Sequence, residues 1–447
     1  MSKPNRIHPA TCDIIVIGGG AAGLTAAIYC KQQQPDVSVV ILDGAKKLGA
    51  KIRVAGGGRC NVTHQSVSPD DFAGSSPNAI KKVLKQLSVA KTIEWFNHMG
   101  VLLTTEASGK LFPVSNKAAD VVAGLVTEAV RLGVQIHCQQ RVNQVIFSAE
   151  HVQVETAIKH WQAQAIILAT GGKSLPKTGS DGYAYRFAKA AGHQITPKVT
   201  PALVPLLATD LNELAGLSHP VNLWLQAPSG KLVAATAGSL LCTHFGFSGP
   251  VILDISRYLL QGSRDWQLFI NWLGCQHHFQ RLDEFSPGRE KHQVTEQFDT
   301  ALLTGRARQV DTVIKQFSQQ RNETGEPLPQ RLIHLIGDQL QLDSRLACQQ
   351  LSRVQRRQWV QALTNYPVDI IGDRGYTYAE VTAGGVPLSE MTLATLQSRF
   401  QPRLFLCGEI CDVDGRIGGF NFQWAWASGY VAGRGAARFV SHPVVKN

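Results

Sequence analysis

Cys12-Asp13-Ile14-Ile15-Val16-Ile17 runs straight into Gly18-Gly19-Gly20-Ala21-Ala22-Gly23, and the reading of this stretch decides the fold. An apolar run followed by G-x-G-x-x-G predicts a buried strand, a tight turn and a helix start. Gly18, Gly20 and Gly23 permit the turn, let backbone approach a pyrophosphate and let helix pack closely on sheet. The uncapped end of the helix then offers N–H groups and the positive end of its dipole to phosphates. The next apolar run, Val37 to Leu42, ends in Asp43, twenty residues beyond Gly23, where a ribose-binding carboxylate belongs. Strand, helix and acid in register predict a dinucleotide-binding α/β domain of Rossmann type.

Three later segments point to FAD rather than NAD. Lys51-Ile52-Arg53 leads into Gly56-Gly57-Gly58-Arg59-Cys60-Asn61, bare backbone beside cations that can follow an extended cofactor. Ala165-Ile166-Ile167-Leu168-Ala169-Thr170-Gly171-Gly172 reads as a buried strand ending in the Ala-Thr-Gly turn recurrent in two-dinucleotide-fold flavoproteins. Leu404-Phe405-Leu406-Cys407-Gly408-Glu409, with Asp412, Asp414 and Gly418-Gly419-Phe420-Asn421 following, suits ribityl hydroxyls. A helix starting near Gln423 is expected to aim its N-terminus at the flavin N1–C2=O edge, where charge develops on reduction. The candidate cofactor contacts are Gly18, Gly20, Ala21, Ala22, Gly23, Asp43, Gly44, Lys51, Gly57, Gly58, Arg59, Cys60, Val142, Ala169, Thr170, Gly171, Gly408, Glu409, Asp414, Gly418, Gly419, Asn421 and Phe422. A second G-x-G-x-x-G is absent, so a nicotinamide donor, NADPH or NADH, is expected to stack directly on the flavin.

The chain resembles the bacterial YhiN/BaiN-like FAD-dependent oxidoreductases, a family that includes aminoacetone oxidase. The blocks that carry the resemblance are Gly18–Gly23, Gly56 through Thr63, Ala169–Gly172, Thr243-His244-Phe245-Gly246-Phe247-Ser248-Gly249-Pro250, Val381–Val386 and Gly408 through Trp426. Asp43 stands where many members carry Glu, and Ala55 where Ser is usual. Leu111-Phe112-Pro113-Val114-Ser115 is closer to the branch with Phe-Pro than to the YhiN branch. The resemblance implies an FAD domain interrupted by a β-rich and a helical insertion. It also implies one of three substrates: uridine in large-subunit ribosomal RNA, a conjugated steroid ketone, or an amino ketone oxidised with oxygen.

At 447 residues the chain exceeds one ordinary domain. The FAD domain is expected to comprise 1–198 and 377–447, with a β-rich insertion at 199–275, a helical one at 276–362 and a return strand at 363–376. Helical spacing covers Asn78 to Met99 and Ala118 to Leu132, and Leu303, Val310, Ile314 and Phe317 fall on one predicted face. No run of eighteen apolar residues occurs, and the polar first ten residues lack a signal-peptide core, which predicts a cytoplasmic protein without membrane contact. Nine cysteines, odd in number and without C-x-x-C, suit reduced thiols and no metal site. Charge is uneven. Residues 1–200 hold 22 Lys and Arg against 12 Asp and Glu, whereas 271–360 hold 12 against 10. Lys51, Arg53 and Arg59 can offset the pyrophosphate, but Lys46-Lys47, Lys81-Lys82-Lys85 and the series Lys173, Lys177, Arg186, Lys189 and Lys198 remain, either as solvated surface or as a polyanion site.

Reduction of a conjugated C=C needs hydride from the flavin and a proton from an acid. Cys60 and His244 are the candidates. Cys60 is either that donor or a small residue packed under the cofactor; His244 either caps the cleft or bonds to backbone. Arg59 pairs with substrate, flavin or a plain carboxylate. Trp424 and Trp426, two apart, are not expected to share a helix face, so one is expected in the core. The charge distribution favours ribosomal RNA as partner, with the same chemistry applied to the uracil C5=C6 bond. The rivals are a small-molecule reductase or oxidase, and a flavin-bearing RNA-binding factor without turnover.

Overall fold

Four consecutive buried residues, Ile14 to Ile17, lie in β1 (Ala10–Ile17), and the helix that follows, α1 (Ala21–Gln33), returns the chain to β2 (Val39–Leu42). Strands buried on both faces read as continuous apolar runs because helices cover both sides of a parallel sheet. The computed structural model describes residues 9–441 apart from 210, 264, 275–286 and 323–324. The expected junction at 275/276 lies outside the described residues. Two units form: residues 1–201 with 379–447, and residues 202–378.

The first unit is built on a mixed sheet. Its parallel part places β3 (Gln135–His137), β2, β1, β4 (His160–Leu168) and β6 (Leu404–Leu406) side by side, after β5 (Val381–Ala383) has passed outside the sheet. Register pairs Ile14 with Ala165 on one side and with Val39 on the other. The chain therefore leaves β1 to one side through α1 and comes back on its other side as β4. In such sheets ligands bind beyond the carboxyl ends of the strands where the strand order reverses. Gly18, Asp43, Ala169 and Gly408 all stand at those ends.

The last described element, α2 (Phe420–Ser441), packs on α1 through small residues. Gly429 and Gly433 face Ala22 and Ala26, and a side chain on Gly429 would come within 2.5 Å of the Ala22 carbonyl oxygen. This helix starts at Phe420, not near Gln423. Gln423 is buried and ties three elements together: it accepts from Thr63 Oγ1 (2.8 Å) and donates to Leu87 O and Thr92 Oγ1 (3.0 Å each). Trp424 and Trp426 are both buried, against the expectation that one would be, because α2 is enclosed on more than one side. Their indole N–H groups donate to Gly408 O (3.1 Å) and Val62 O (2.8 Å).

The expected helix over Asn78 to Met99 is two helices, Pro77–Leu84 and Val89–His98. Ser88 divides them: its hydroxyl accepts from Lys91 N and caps the second. In the second unit Ser218–Gln226 and Leu232–Thr243 pair antiparallel in a seven-stranded sheet among the described residues. Helix Pro250–Gln261 follows, and then Pro287–Thr304, Val310–Arg321, Gln330–Leu340 and Arg353–Thr364. Leu303 does not share a face with Val310 and Ile314. It is 62% exposed while Leu302 is buried, because the turn at Gly305 puts it on a separate helix.

Candidate cofactor and active site

The first turn of α1 is shaped for an anion. Its N-cap is Gly20, with no side-chain cap and no acid in the first turn, so its N–H groups remain available. Ala21 and Ala22 form that turn, with Ala22 buried. A Cβ on Gly20 would meet nothing within 4 Å, whereas one on Gly18 would lie 2.5 Å from Ala169 O, and one on Gly23 would overlap Gly18 O. Gly18 and Gly23 therefore serve protein packing, and Gly20 faces open space.

Asp43 leaves β2 beside this turn. Its carboxylate accepts from Gly19 N (2.6 Å) and Ala45 N (2.7 Å), which fixes it at the ribose position of the motif. Gly44 abuts Arg141, and Gln140 N donates to Asp43 O (2.8 Å). The buried Val142 thus follows directly on the segment lining this end.

Ala169, Thr170 and Gly171 end β4 against the first turn. Thr170 Oγ1 is a buried polar atom without a partner among the described residues, as is Asn61 Oδ1. Such atoms call for one. Gly56, Gly57 and Gly58 hold φ of +57°, +67° and +85°, a left-handed run that Arg59 ends at −94° before Cys60 stands at +63°. Only glycine adopts such a run without strain.

Two expected phosphate partners are engaged within the protein. Lys51 Nζ sits 2.6 Å from Glu409 Oε2 and 2.8 Å from Ser174 Oγ. Glu409 Oε1 accepts from Thr382 N (2.9 Å) and Ser174 Oγ (2.7 Å). Arg59 pairs with Glu106 (2.7 Å) and lies over the Phe112 ring at 4.0 Å, the plain carboxylate alternative. Arg53 donates to Leu48 O (3.4 Å), and the helix N-terminus keeps N–H groups of the kind that suit a phosphate. Ser174, Ser180 and Thr382 escaped sequence reading; Thr382 sits in the Val381–Val386 block, which carried only the resemblance. Gly408 is buried and abuts Ala22, and Asp414 is buried on a strand paired with Phe72–Gly74. Asn421 grips Gly415 at both ends, accepting from its N (2.8 Å) and donating to its O (2.7 Å). Gly418 and Gly419 precede α2 at positive φ, and Phe422 stacks on Trp426 (5.5 Å).

The two proton-donor candidates fare differently. Cys60 has no exposed surface, and burial pushes its thiol up to about 12. In this structure Cys60 packs rather than lines the site. His244 belongs to the second unit, exposed in the turn between Leu232–Thr243 and Gly246–Ser248.

An uncapped helix end, an anchored carboxylate at the ribose position, an open Gly20 and an unpartnered Thr170 hydroxyl are what FAD requires of these residues. The family described as HI0933-like protein Rossmann domain matches residues 12–435. The chain is 32% identical over 423 residues to the 3-dehydro-bile acid delta(4,6)-reductase of Clostridium scindens, covering 94% of this chain and 98% of that protein. It is 30% identical over 438 residues to the ribosomal RNA dihydrouridine synthase of Haemophilus influenzae, covering 95% and 98%. Among solved structures, the 3-ketosteroid-delta4-(5alpha)-dehydrogenase of Rhodococcus jostii RHA1 aligns with a TM-score of 0.47 at 14% identity over 98% of this chain and 99% of that one. The resemblance read from the glycine-rich blocks is borne out: the chain belongs to the HI0933-like Rossmann-domain family of FAD-dependent oxidoreductases.

Proposed function

We propose that this oxidoreductase is an NAD(P)H-fuelled ene-reductase of the cytoplasm whose substrate is uridine in large-subunit ribosomal RNA, converted to dihydrouridine. The observation that carries the RNA reading is the set of unpaired cations in the first 200 residues. Lys46, Lys47, Lys81, Lys82 and Lys85 are exposed, and none meets a carboxylate among the described residues. Lys81 and Lys82 lie on the helix Pro77–Leu84 and Lys85 is its C-cap residue; unpaired cations of this kind supply the sequence-independent part of RNA affinity. The full-length relatives named ribosomal RNA dihydrouridine synthase support it.

Bound FAD supplies hydride to the carbon β to a carbonyl. The protein's part is to hold the cofactor by the α1 N-terminus and Asp43, to keep Lys51 and Glu409 mutually neutralised beside it, and to provide one proton. The uracil C5=C6 bond is conjugated to a carbonyl, and the base must leave its stack to reach a flavin. A small-molecule enone remains the second reading, favoured by the bile-acid reductase relative.

The test is dihydrouridine content of ribosomal RNA, by mass spectrometry, from cells with and without the gene. Loss of one dihydrouridine, restored by purified protein with NADPH, supports RNA reduction. Unchanged RNA overturns it and transfers the reading to a small enone.

A further inference from the structure

Glu380 immediately precedes β5, and its backbone is strapped to the cofactor site. Its carbonyl accepts from Ser174 Oγ (3.2 Å), the hydroxyl that also lies 2.7 Å from Glu409 Oε1. Two residues on, Thr382 N donates to Glu409, and Thr382 Oγ1 accepts from Lys173 N (2.7 Å) and Ser174 N (3.0 Å). The residue is thereby fixed to both the Lys173-Ser174 segment, just past the Ala169–Gly171 turn, and Glu409. Its own side chain reaches solvent but is crowded by surrounding protein atoms, and it has no hydrogen bond or ion pair among the described residues.

The charged groups around it place it further. Lys110 lies within electrostatic reach of Glu380. Lys110 sits on the strand Lys110–Pro113, paired with Thr63–His64, and the Thr63 carbonyl abuts Gly419 at the start of α2. The carboxyl therefore stands towards the α2 end of the cradle, opposite the ribose end marked by Asp43. The other charges nearby, Lys51 and Glu409, neutralise each other.

We infer that Glu380 is the proton donor of the reduction, delivering its proton to the substrate carbon α to the carbonyl. The inference rests on the ene-reduction reading above. Hydride from reduced flavin forms a C–H bond at the β carbon as the C=C π bond breaks. The displaced electron pair passes into an enolate, and the Glu380 O–H bond then breaks as its proton forms the second C–H bond at the α carbon. Glu380 is left as carboxylate and regains its proton from water. Desolvation raises its carboxyl above the ordinary glutamate range, with the Lys110 ammonium opposing, so a larger protonated fraction survives towards neutral pH. Cys60, enclosed on every side, offers no comparable access.

The test uses flavin-loaded wild type, E380Q, E380D and K110M with two probes, a transcript of large-subunit ribosomal RNA and a conjugated 3-keto bile acid. Removing a positioned acid costs roughly 10²–10⁴-fold. E380Q is expected to slow flavin reoxidation by substrate on the order of 100-fold, with flavin reduction by NADPH within about twofold of wild type. E380D is expected to restore part of the loss. The rate falls as pH rises through the donor's pKa, so K110M is expected to shift that limb to higher pH. Independently of turnover, ¹³C-carboxyl resonances of labelled protein should include one, absent in E380Q, that titrates above about 4.3. Wild-type reoxidation in E380Q, or an ordinary titration for that resonance, overturns the inference. Wild type that accepts NADPH electrons but reduces neither probe overturns the ene-reduction reading, and the donor role falls with it.

Discussion

A methyl group on Gly18 would sit 2.5 Å from a backbone oxygen at φ +104°, while one on Gly20 would meet nothing within 4 Å at φ −82°. The two positions separate packing from ligand contact. G18A is expected to destabilise the protein by about 2 kcal/mol or more and to lose its flavin, read by denaturation and by flavin absorbance. G20A is expected to leave cofactor-free stability within about 0.5 kcal/mol yet weaken FAD binding at least tenfold, because the added carbon occupies space meant for phosphate. His219 sets a pH limit of its own. Burial lowers it to about 4, against a hydrogen bond to the Trp272 backbone, so the unfolded chain takes up a proton that the fold refuses. Its contribution is complete above about 6.5 and is lost as pH falls towards 4, on the order of 3 kcal/mol in all. H219Q, which cannot charge, is expected to flatten that part of the stability–pH curve measured by thermal unfolding. Gly18, Gly23 and Asp43 were legible because their spacing is local. The Lys51–Glu409 pair was not, since 358 positions separate its members and nothing in either neighbourhood names the other.

At the scale of elements, α1 and α2 meet along Gly429 and Gly433, where Cys30 Sγ also reaches the Gly433 carbonyl at 3.1 Å. Backbones this close leave no room for side chains. G433V is expected to cost about 1–3 kcal/mol and to release flavin, because α2 carries the Gly418–Asn421 segment away with it. S88A tests the split of the 78–99 segment: loss of the cap is expected to cost about 1 kcal/mol in chemical denaturation. Periodicity alone ran the two helices together, since Ile80, Val83, Leu87 and Phe96 are all buried and the turn between the helices keeps the apolar spacing nearly intact. The same blindness placed Leu303 with Val310. Apolar spacing reports which residues go inside, but a turn such as Gly305 to Gln309 resets the phase without altering composition.

At the scale of the molecule, the excess of cations in the first 200 residues makes a salt-dependent prediction. K81E, K82E and K85E together are expected to weaken binding of a ribosomal RNA fragment. They should also reduce the slope of log K against log salt by about 2, three phosphate contacts at about 0.7 each for single strands. Reduction of a small enone by the same variant is expected to be unchanged. The first unit is also discontinuous in sequence, with β6 and α2 supplied from beyond residue 378. During synthesis, β1, α1, β2 and β4 emerge first and wait, with the α1 surface and the open edge of β4 uncovered, while residues 202–378 are made. The second unit, continuous in sequence, is free to fold in that interval. Vitamin-derived cofactor can thus be captured only late in translation, and in a cell starved of riboflavin the completed chain would lack the ligand that stabilises its first unit and would be more exposed to proteases.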